Sequence, residues 1–530
     1  MDNNNNNNNN TQPAYQPQPR FGSALIFRKI FLPSFLFALL FSLCMHQNLG
    51  SVLSIPLTLG LILYIAVVSS RLNTKLNHKA ILPGACIIAL GISNAFTANT
   101  AILVSNNLGI FLLTLVLLLY TYYPDTNWGF GQWFVQLLGN IFGSIDCLGD
   151  FVADAKDLSR NSDQKKNSRG LAFLIGFAIG IPLFFIVLLL LSKADAVFHS
   201  VLLHVIPENF SIKDVFGYIF CFIFALFASY CGMRRVAKRS IMFKPGSPAH
   251  SSRIIAYTIL LPMTLLYLVF SMIQILYLFI GNMKLPDNLT YSEYAHEGFN
   301  QLLAVVIINF IVVVAILYFF KRSSTLKALL FTFSACTYIM IASAVMRMLM
   351  YIGAYDLSVL RCEVLWLLAT IAMIMLGVLV YIFDERFHLA GYVILAFSLA
   401  YLLLSFGRVD YVVASYNLRN VPYAARIPYD ATNPYVTYNK EMDVYEDESD
   451  GSYDSIHAND QKKIMNDSSD IIYLSELSMD AAEPIFRTGN QELIERFVMN
   501  AEYDYKKAMT WRTYNFSRAR FEQLKSEAGY

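Results

Sequence analysis

The chain has 530 residues, of which 56% are hydrophobic and only 15% are charged. This composition is too apolar for an ordinary soluble domain, which excludes the soluble enzymes and soluble binding modules. The net charge of +2 is unevenly divided. The segment from Phe406 onward holds 14 Lys/Arg and 21 Asp/Glu, whereas the preceding residues hold 26 and 17. We therefore expect a basic membrane part followed by an acidic tail.

Residues 1–22 open the chain with a run of asparagines and continue through glutamine, proline and tyrosine. Such a segment buries too little apolar surface to offset the entropy that ordering it would cost. The sequence predicts a disordered cytoplasmic tail, and an extension without a role is favoured over an interaction tail.

Residues 23–406 contain eleven apolar stretches long enough to span a membrane. A hydrocarbon core about 30 Å thick needs roughly 20 apolar residues per helix. The fold class predicted is all-α, a polytopic transmembrane helix bundle of about eleven spans. The predicted spans are 27–46, 51–69, 80–97, 103–122, 170–191, 214–233, 254–281, 299–320, 326–352, 362–383 and 387–406.

The loops between these spans alternate between basic and nearly uncharged. Lysine and arginine cluster before the first and fifth spans and after the second, sixth and eighth spans. The loops after the first and third spans have no charge. By the positive-inside rule, the amino terminus is cytoplasmic. An odd number of spans then places the carboxyl terminus outside the plasma membrane.

Residues 128–158 form a cytoplasmic segment with apolar side chains at steps of three and four, including Phe134, Leu138, Ile141 and Phe142. This spacing is typical of an amphipathic helix. The two interpretations are a helix lying in the inner membrane interface and a helix packed under the bundle.

The tail divides into two parts. Residues 407–469 are rich in acidic residues, tyrosine, asparagine and proline, which predicts a solvated extracytoplasmic linker. Residues 470–530 return to helical spacing, as at Leu474, Leu477 and Ala481, and are predicted to form a short helical extracytoplasmic domain.

Charged side chains within or beside spans are costly and are therefore the first candidates for function. The candidates that we expect on the outer face form a polar cluster of Tyr291, Glu293, Glu297, Arg347, Arg361 and Glu363. The functional interpretation is an externally open polar site. The competing interpretation, a structural ion pair or an arginine reaching the interface, is favoured.

Other polar groups give weaker indications. Asp195 and His199 are four residues apart, but His204 follows five residues later, so one helical face does not hold both histidines. A solvated loop is expected there rather than a metal site. The seven cysteines form no CxxC pair and none lies in the tail, which argues against an outer disulfide framework.

No phosphate-cradling glycine loop, HExxH or GxSxG motif is present, so no catalytic residue, cofactor or metal is predicted. The basic run Arg234–Arg239 is short and juxtamembrane, which favours contact with anionic lipid over nucleic acid. The expected partners are the lipid bilayer and, at the C-terminal region, an envelope protein or cell-wall component.

Several segments resemble the motifs of an uncharacterised bacterial membrane family, domain-of-unknown-function family 4173. They are YSEYAHEGF from Tyr291, KADAVF from Lys193, RMLMY from Arg347, ASYNL from Ala414, YLSEL from Tyr473 and WRTYNFSR from Trp511. The chain departs from the family at His296, where arginine is usual, at Asp356, where glycine is usual, and in the acidic insertion before Ile471. The resemblance implies a bacterial membrane protein of unknown role.

Three functions compete on these grounds. The first is non-enzymatic sensing or scaffolding through the outer face. The second is a transporter or flippase with an outer polar vestibule, and the third is an intramembrane enzyme that acts on lipid or glycan with Glu293 or Glu297 as acid or base. We rank them in that order.

Overall fold

The computed structural model describes residues 23–123, 128, 130–160, 212–238, 252–276, 291–320, 322–384, 386–419, 436–439, 444–447, 468–504 and 509–530, with isolated helical positions between 176 and 194. In these residues the helices of the first part are α1 (Ser23–Met45), α2 (Ser54–Arg71), α3 (Ile81–Phe96), α4 (Thr100–Tyr122), α5 (Phe130–Asp146), α6 (Leu148–Arg160) and α7 (Ile212–Ala237). The second part contains α8 (Arg253–Gln274), α9 (Tyr291–Phe319), α10 (Ser324–Tyr355), α11 (Val359–Phe383), α12 (Leu389–Phe406) and α13 (Val409–Leu418). The tail contains strands β1 (Val436–Asn439) and β2 (Val444–Asp447), then α14 (Ser468–Ser475), α15 (Ala482–Arg487), α16 (Gln491–Asp504) and α17 (Phe516–Glu527).

Ten helices in the described part of the chain are long and apolar enough to cross a membrane: α1–α4 and α7–α12. They coincide with ten of the eleven predicted spans, and the all-α polytopic bundle is confirmed. The remaining predicted span, 170–191, lies outside the described residues apart from isolated positions.

The starts of several spans are set by single polar side chains. Asn99, Ser323 and Ser358 each accept a hydrogen bond from the backbone N–H three residues later, at the first turns of α4, α10 and α11. The first N–H groups of a helix have no partner within the helix, so these caps satisfy groups that the bilayer would otherwise leave unpaired.

The buried side chains form two cores. The first core lies among α1, α2, α4, α6 and α7 and centres on Phe27, Phe31, Phe151 and Tyr230. The second core lies among α8–α13 and continues without a break into α14–α17. The C-terminal helices are therefore a part of the packed protein, because their apolar faces are buried against the second half of the bundle.

A polar seam joins the two halves inside the bundle, between α3, α4 and α12. We define it by Ser93, Asn94, Asn106, Tyr401 and Ser405. The Asn106 amide donates to Asn94 Oδ1 at 2.8 Å, and its oxygen accepts from Tyr401 at 2.9 Å and Ser405 at 2.8 Å. Hydrogen bonds of this kind hold membrane helices together, because apolar side chains contact lipid tails as favourably as they contact another helix.

The predicted amphipathic segment 128–158 consists of two helices, α5 and α6, separated at Cys147. α6 is fastened to α7 by Asp154, which forms a buried ion pair with Arg234 at 2.8 Å and accepts from Tyr230 at 2.7 Å. Phe142, by contrast, is exposed. The interfacial position of this segment stays a prediction.

The C-terminal helices all sit at one end of the bundle, which we call the C-terminal side. There the ends of α1, α2 and α3 meet residues 512–515. The opposite end, which we call the basic side, carries arginines such as Arg71 and Arg234 in the last turns of α2 and α7.

A helix and a two-stranded sheet lie within the segment predicted as an acidic linker, 407–469. The helix α13 is packed into the second core, with Val413 and Ala414 fully buried. β1 and β2 pair antiparallel, with Val436 opposite Asp447. Residues 409–418 are thus an exception to the solvated linker, because their apolar side chains contact the bundle.

Candidate functional site

Asp480 fastens the C-terminal region to the bundle. It is 1% exposed, and its carboxylate accepts from Thr97 Oγ1 at 2.5 Å, from the Ala98 N–H at 2.8 Å and from the Ser517 hydroxyl. The Arg408 guanidinium donates to the Asp480 backbone oxygen at 3.1 Å. One side chain therefore joins the α3–α4 loop to two separate parts of the tail.

Asp410, on α13, makes a second junction beside the first. Its Oδ2 accepts from Asn99 Nδ2 at 2.9 Å, from the Ser478 N–H at 3.3 Å and from the Ser478 hydroxyl. Asp410 is 2% exposed. Two carboxyl groups thus bind the same turn of the tail, Ser478–Asp480, onto the C-terminal side of the bundle.

A cavity of about 590 Å³ lies next to these junctions, and we call it the acidic cavity. It is walled by the start of α4, the start of α11, α13 and the C-terminal helices α14 and α16. Its lining residues are Ala98, Asn99, Thr100, Ala101, Ser358, Val359, Leu360, Glu363, Asp410, Tyr473, Glu476, Leu477, Ser478, Met479, Asn500 and Ala501. Ligand cavities in proteins commonly have volumes in this range.

The charged side chains described on the cavity wall have one sign. Glu363, Asp410 and Glu476 bring carboxyl groups, and no lysine, arginine or histidine is among the described residues that line the cavity. Glu476 is exposed and Glu363 is half-buried, so both are accessible to a solute. The arrangement favours a positively charged occupant over an anion.

Burial changes the acidity of the groups around the cavity. Burial raises the pKa of Asp480, against the lowering by hydrogen bonds from Ser517, Thr97 and the Ala98 N–H, and the nearby Asp410 raises it further. Burial likewise raises the pKa of the Tyr473 phenol, whose oxygen accepts from the Val359 N–H at 2.9 Å. Hydrogen bonds hold both groups in place beside the cavity.

Of the six residues predicted as an outer polar cluster, Glu363 lines the acidic cavity. Arg361 follows it on α11 but is engaged locally. Its guanidinium donates to the backbone oxygens of Tyr355 and Asp356 and stacks 4.1 Å from the ring centre of Tyr351. Arg361 thus closes the turn between α10 and α11.

Arg347 lies on α10 and donates to Gln274 Oε1 at 3.5 Å, while Ser343 donates to the same oxygen at 2.6 Å. These bonds join α8 to α10. Tyr291, Glu293 and Glu297 belong to the first turns of α9, and their side chains lie outside the described part of the structure. The loop that holds Asp195, His199, His204 and Glu208 is outside it as well.

Metal ligands do not gather in the described ranges, where no group of three or more His, Cys, Asp or Glu side chains is placed to hold an ion.

A family model described as Domain of unknown function (DUF4153) matches residues 84–434, more than half of the chain. The chain belongs to the DUF4153 family. Membership of family 4173, which the motifs resemble, is not confirmed by this match.

No curated protein and no solved structure is similar enough to count as a match. The DUF4153 match covers only a part of the residues that line the acidic cavity. The matched residues supply Asn99, Glu363 and Asp410, whereas Tyr473 and Glu476 come from the tail beyond residue 434. The cavity is completed only where the tail folds back on the DUF4153 domain.

Proposed function

We propose that this multi-pass membrane protein is a receptor that binds a small, positively charged solute in the acidic cavity. The observation that carries the proposal is the cavity itself, whose wall joins the membrane domain to the C-terminal region and whose charged residues, among those that the structure describes, are acidic. A solute bound there touches both parts. Its binding is therefore coupled to how firmly the tail is docked.

The chemistry of the wall defines the solute further. Carboxylates at Glu363 and Glu476 suit ammonium groups, and the hydroxyl and amide groups of Ser358, Ser478 and Asn500 suit hydrogen-bonding neighbours. The solute class is thus a small amine or polyamine with further polar groups. A multivalent amine offers an ammonium group to each of these two carboxylates.

The proposal includes an orientation, with the acidic cavity outside a bacterial plasma membrane and the amino terminus in the cytoplasm. Support comes from the distribution of basic residues, since Arg71, Arg234, Arg322 and Lys327 all lie on the basic side. The motif resemblance to family 4173 agrees with a place in the cell envelope. An envelope protein or cell-wall component at the C-terminal region stays a prediction.

The orientation predicts the labelling of introduced cysteines. Glu522→Cys, at an exposed position on α17, should react with a membrane-impermeant maleimide in intact cells, above the background of the seven native cysteines. Lys75→Cys, at an exposed position on the basic side, should react only after lysis. The reverse pattern would show that the bundle is inserted the other way.

Ligand binding predicts a charge-selective thermal shift. Purified full-length protein should be stabilised by putrescine or spermidine, and not by neutral or anionic compounds of similar size. Glu476→Gln should lower the affinity for the amine that stabilises the protein by at least about tenfold, since a charge-assisted hydrogen bond contributes roughly 1.5–3 kcal/mol and tenfold corresponds to about 1.4 kcal/mol.

The matched control is Glu492→Gln on α16, where the carboxylate pairs with Arg496 at 3.0 Å and does not line the cavity. Its affinity for the amine should equal that of the wild type. Equal stabilisation by anionic compounds, or equal affinity in the two variants, would refute the receptor proposal.

The polar seam favours a second candidate function, transport. Asn106 lies on α4 inward of Thr100 and Ala101, which line the acidic cavity, and it joins the two halves of the bundle. A transporter has to separate these halves in each cycle, whereas a receptor keeps them joined. Uptake of the bound amine into proteoliposomes would select transport over sensing.

A further inference from the structure

A cluster of aromatic side chains lies exposed on the C-terminal side of the bundle. Phe96, Tyr514 and Phe516 are joined by ring contacts, and Trp511 lies three residues before Tyr514 in the chain; we call these four exposed residues the aromatic cluster. Trp511 is 70% exposed, and Phe96 and Phe516 stack with ring centres 4.6 Å apart. Tyr514 packs edge-on against Phe516 at 5.4 Å. Large aromatic groups in this number are seldom left together in water.

The position of the cluster along the bundle is set by hydrogen bonds to the ends of three spans. Arg512 Nη2 donates to the Leu43 backbone oxygen of α1 at 2.9 Å. The Val52 N–H, just before α2, donates to the Tyr514 backbone oxygen at 2.9 Å. Asn515 Nδ2 donates to the backbone oxygens of Asn94 at 3.1 Å and Thr97 at 2.9 Å, at the end of α3.

These three attachments place residues 511–516 at the level where α1, α2 and α3 end. Spanning helices end at the boundary between the acyl chains and the headgroups. The exposed surface of the cluster is continuous with surface that faces lipid, because Phe96 belongs to the span α3 and is itself 45% exposed.

We propose that the aromatic cluster is a lipid-binding surface that anchors the C-terminal region in the headgroup–acyl boundary of the adjacent leaflet. Tryptophan and tyrosine prefer this boundary, because an apolar ring and a polar N–H or O–H are both accommodated there. The occupant is the lipid of the bilayer that already surrounds α1–α3. A protein partner would have to displace that lipid.

The anchored segment is linked to the acidic cavity through Ser517 and Asp480. Ser517 follows the aromatic cluster directly, and its hydroxyl donates to Asp480, whose neighbours Ser478 and Met479 line the acidic cavity. The lipid contact therefore restrains the segment that closes the cavity. The proposal does not depend on the cavity binding a solute, since it rests on the exposed rings and the three span ends alone.

The test measures how deeply Trp511 sits in the bilayer. The other tryptophans, Trp128, Trp133 and Trp366, are replaced by phenylalanine, and the full-length protein is reconstituted in phosphatidylcholine nanodiscs. Trp511 should show blue-shifted emission, strong quenching by lipids brominated close to the headgroup and weak quenching by aqueous iodide. The control adds Trp511→Phe and Tyr503→Trp to the same background, since Tyr503 on α16 is 71% exposed.

The control tryptophan should be quenched several-fold more by iodide than Trp511 and little by brominated lipid. If Trp511 behaves like the control, the lipid-binding proposal is overturned. Trp366 donates to the Ala400 backbone oxygen at 2.7 Å, so its replacement can impair folding. In that case, quenching by brominated lipid is compared between the wild type and Trp511→Phe, and the wild type should lose more emission. Equal lipid quenching of the two proteins overturns the proposal.

Discussion

Asp480→Ala should release the C-terminal region from the bundle while the membrane helices stay folded. The substitution removes both oxygens that accept from Thr97, the Ala98 N–H and Ser517. Buried donors that lose their acceptor cost about 1–3 kcal/mol each, so the loss of three acceptor contacts should weaken docking by at least about 3 kcal/mol. Amide exchange in α15 and α17 should become much faster, and proteases should cleave residues 468–530 more rapidly.

Two variants separate this effect from a general loss of stability. Glu522→Ala removes an exposed carboxylate of α17 and should leave amide exchange unchanged. Asp480→Asn keeps one carbonyl acceptor and adds an amide NH2 group that can donate to the neighbouring hydroxyl oxygens. It should therefore weaken docking less than Asp480→Ala does. Wild-type exchange rates in Asp480→Ala would show that the tail is held by its apolar contacts alone.

The same carboxyl makes docking depend on pH. Because burial raises the pKa of Asp480, the folded protein binds the proton more tightly than the unfolded chain does. The contribution of this group to stability is therefore complete below the ordinary carboxyl pKa and decreases as pH rises through the raised pKa. Asp480→Asn, which does not titrate, should lack this decrease.

The bundle follows closely from the sequence, because a bilayer imposes one simple requirement on each span. Every spanning segment must be apolar, helical and about 20 residues long, and each of these properties is local. The first four predicted spans therefore agree with α1–α4 despite Pro33, Pro56 and the Asn106–Asn107 pair. Local patterning also predicted helices in the tail, from Leu474 and Leu477.

The acidic cavity could not be predicted in the same way, because it is assembled from residues far apart in the chain. Asp480 binds Thr97 across 383 residues, and Asn515 binds Asn94 across 421. No periodicity says which loop a tail will meet. The sequence places Asp410 in a predicted solvated linker because the segment 407–469 is acidic as a whole, although Val413 and Ala414 bury its helix.

A signal for the cavity was nevertheless present in the motif segments. Asn417 and Glu476 belong to them, and Asp480 lies three residues after the end of the segment that contains Glu476. In the structure, Asn417 exchanges hydrogen bonds with the backbone of Leu357, one residue before the Ser358 cap of α11. The motif residues thus meet where the α10–α11 turn, α13 and the tail come together. Polar motif residues outside the spans indicate a shared site more directly than charges inside spans do.

The polar seam predicts the effect of a substitution inside the bundle. Asn106→Leu keeps the size of a side chain that is fully buried, but removes the hydrogen bonds to Asn94, Tyr401 and Ser405. Hydrogen bonds between membrane helices contribute on average about 0.6 kcal/mol and at most roughly 1.7 kcal/mol each, so three of them should total about 2–5 kcal/mol. The loss should appear as a lower melting temperature in detergent, measured with a thiol-reactive dye on the buried Cys86 and Cys336.

The control for this prediction is Thr114→Val, also on α4. Its hydroxyl donates to the Ile110 backbone oxygen of the same helix at 2.7 Å, so the variant loses a hydrogen bond but no link between helices. If both variants melt alike, the seam adds nothing to the joint between the halves. If only Asn106→Leu melts early and also leaks or transports amines, then the joint is the part that a transport cycle would have to open. If the polar seam stays joined while the amine binds, in contrast, the result fits a receptor in which the docked tail moves and the two halves of the bundle do not.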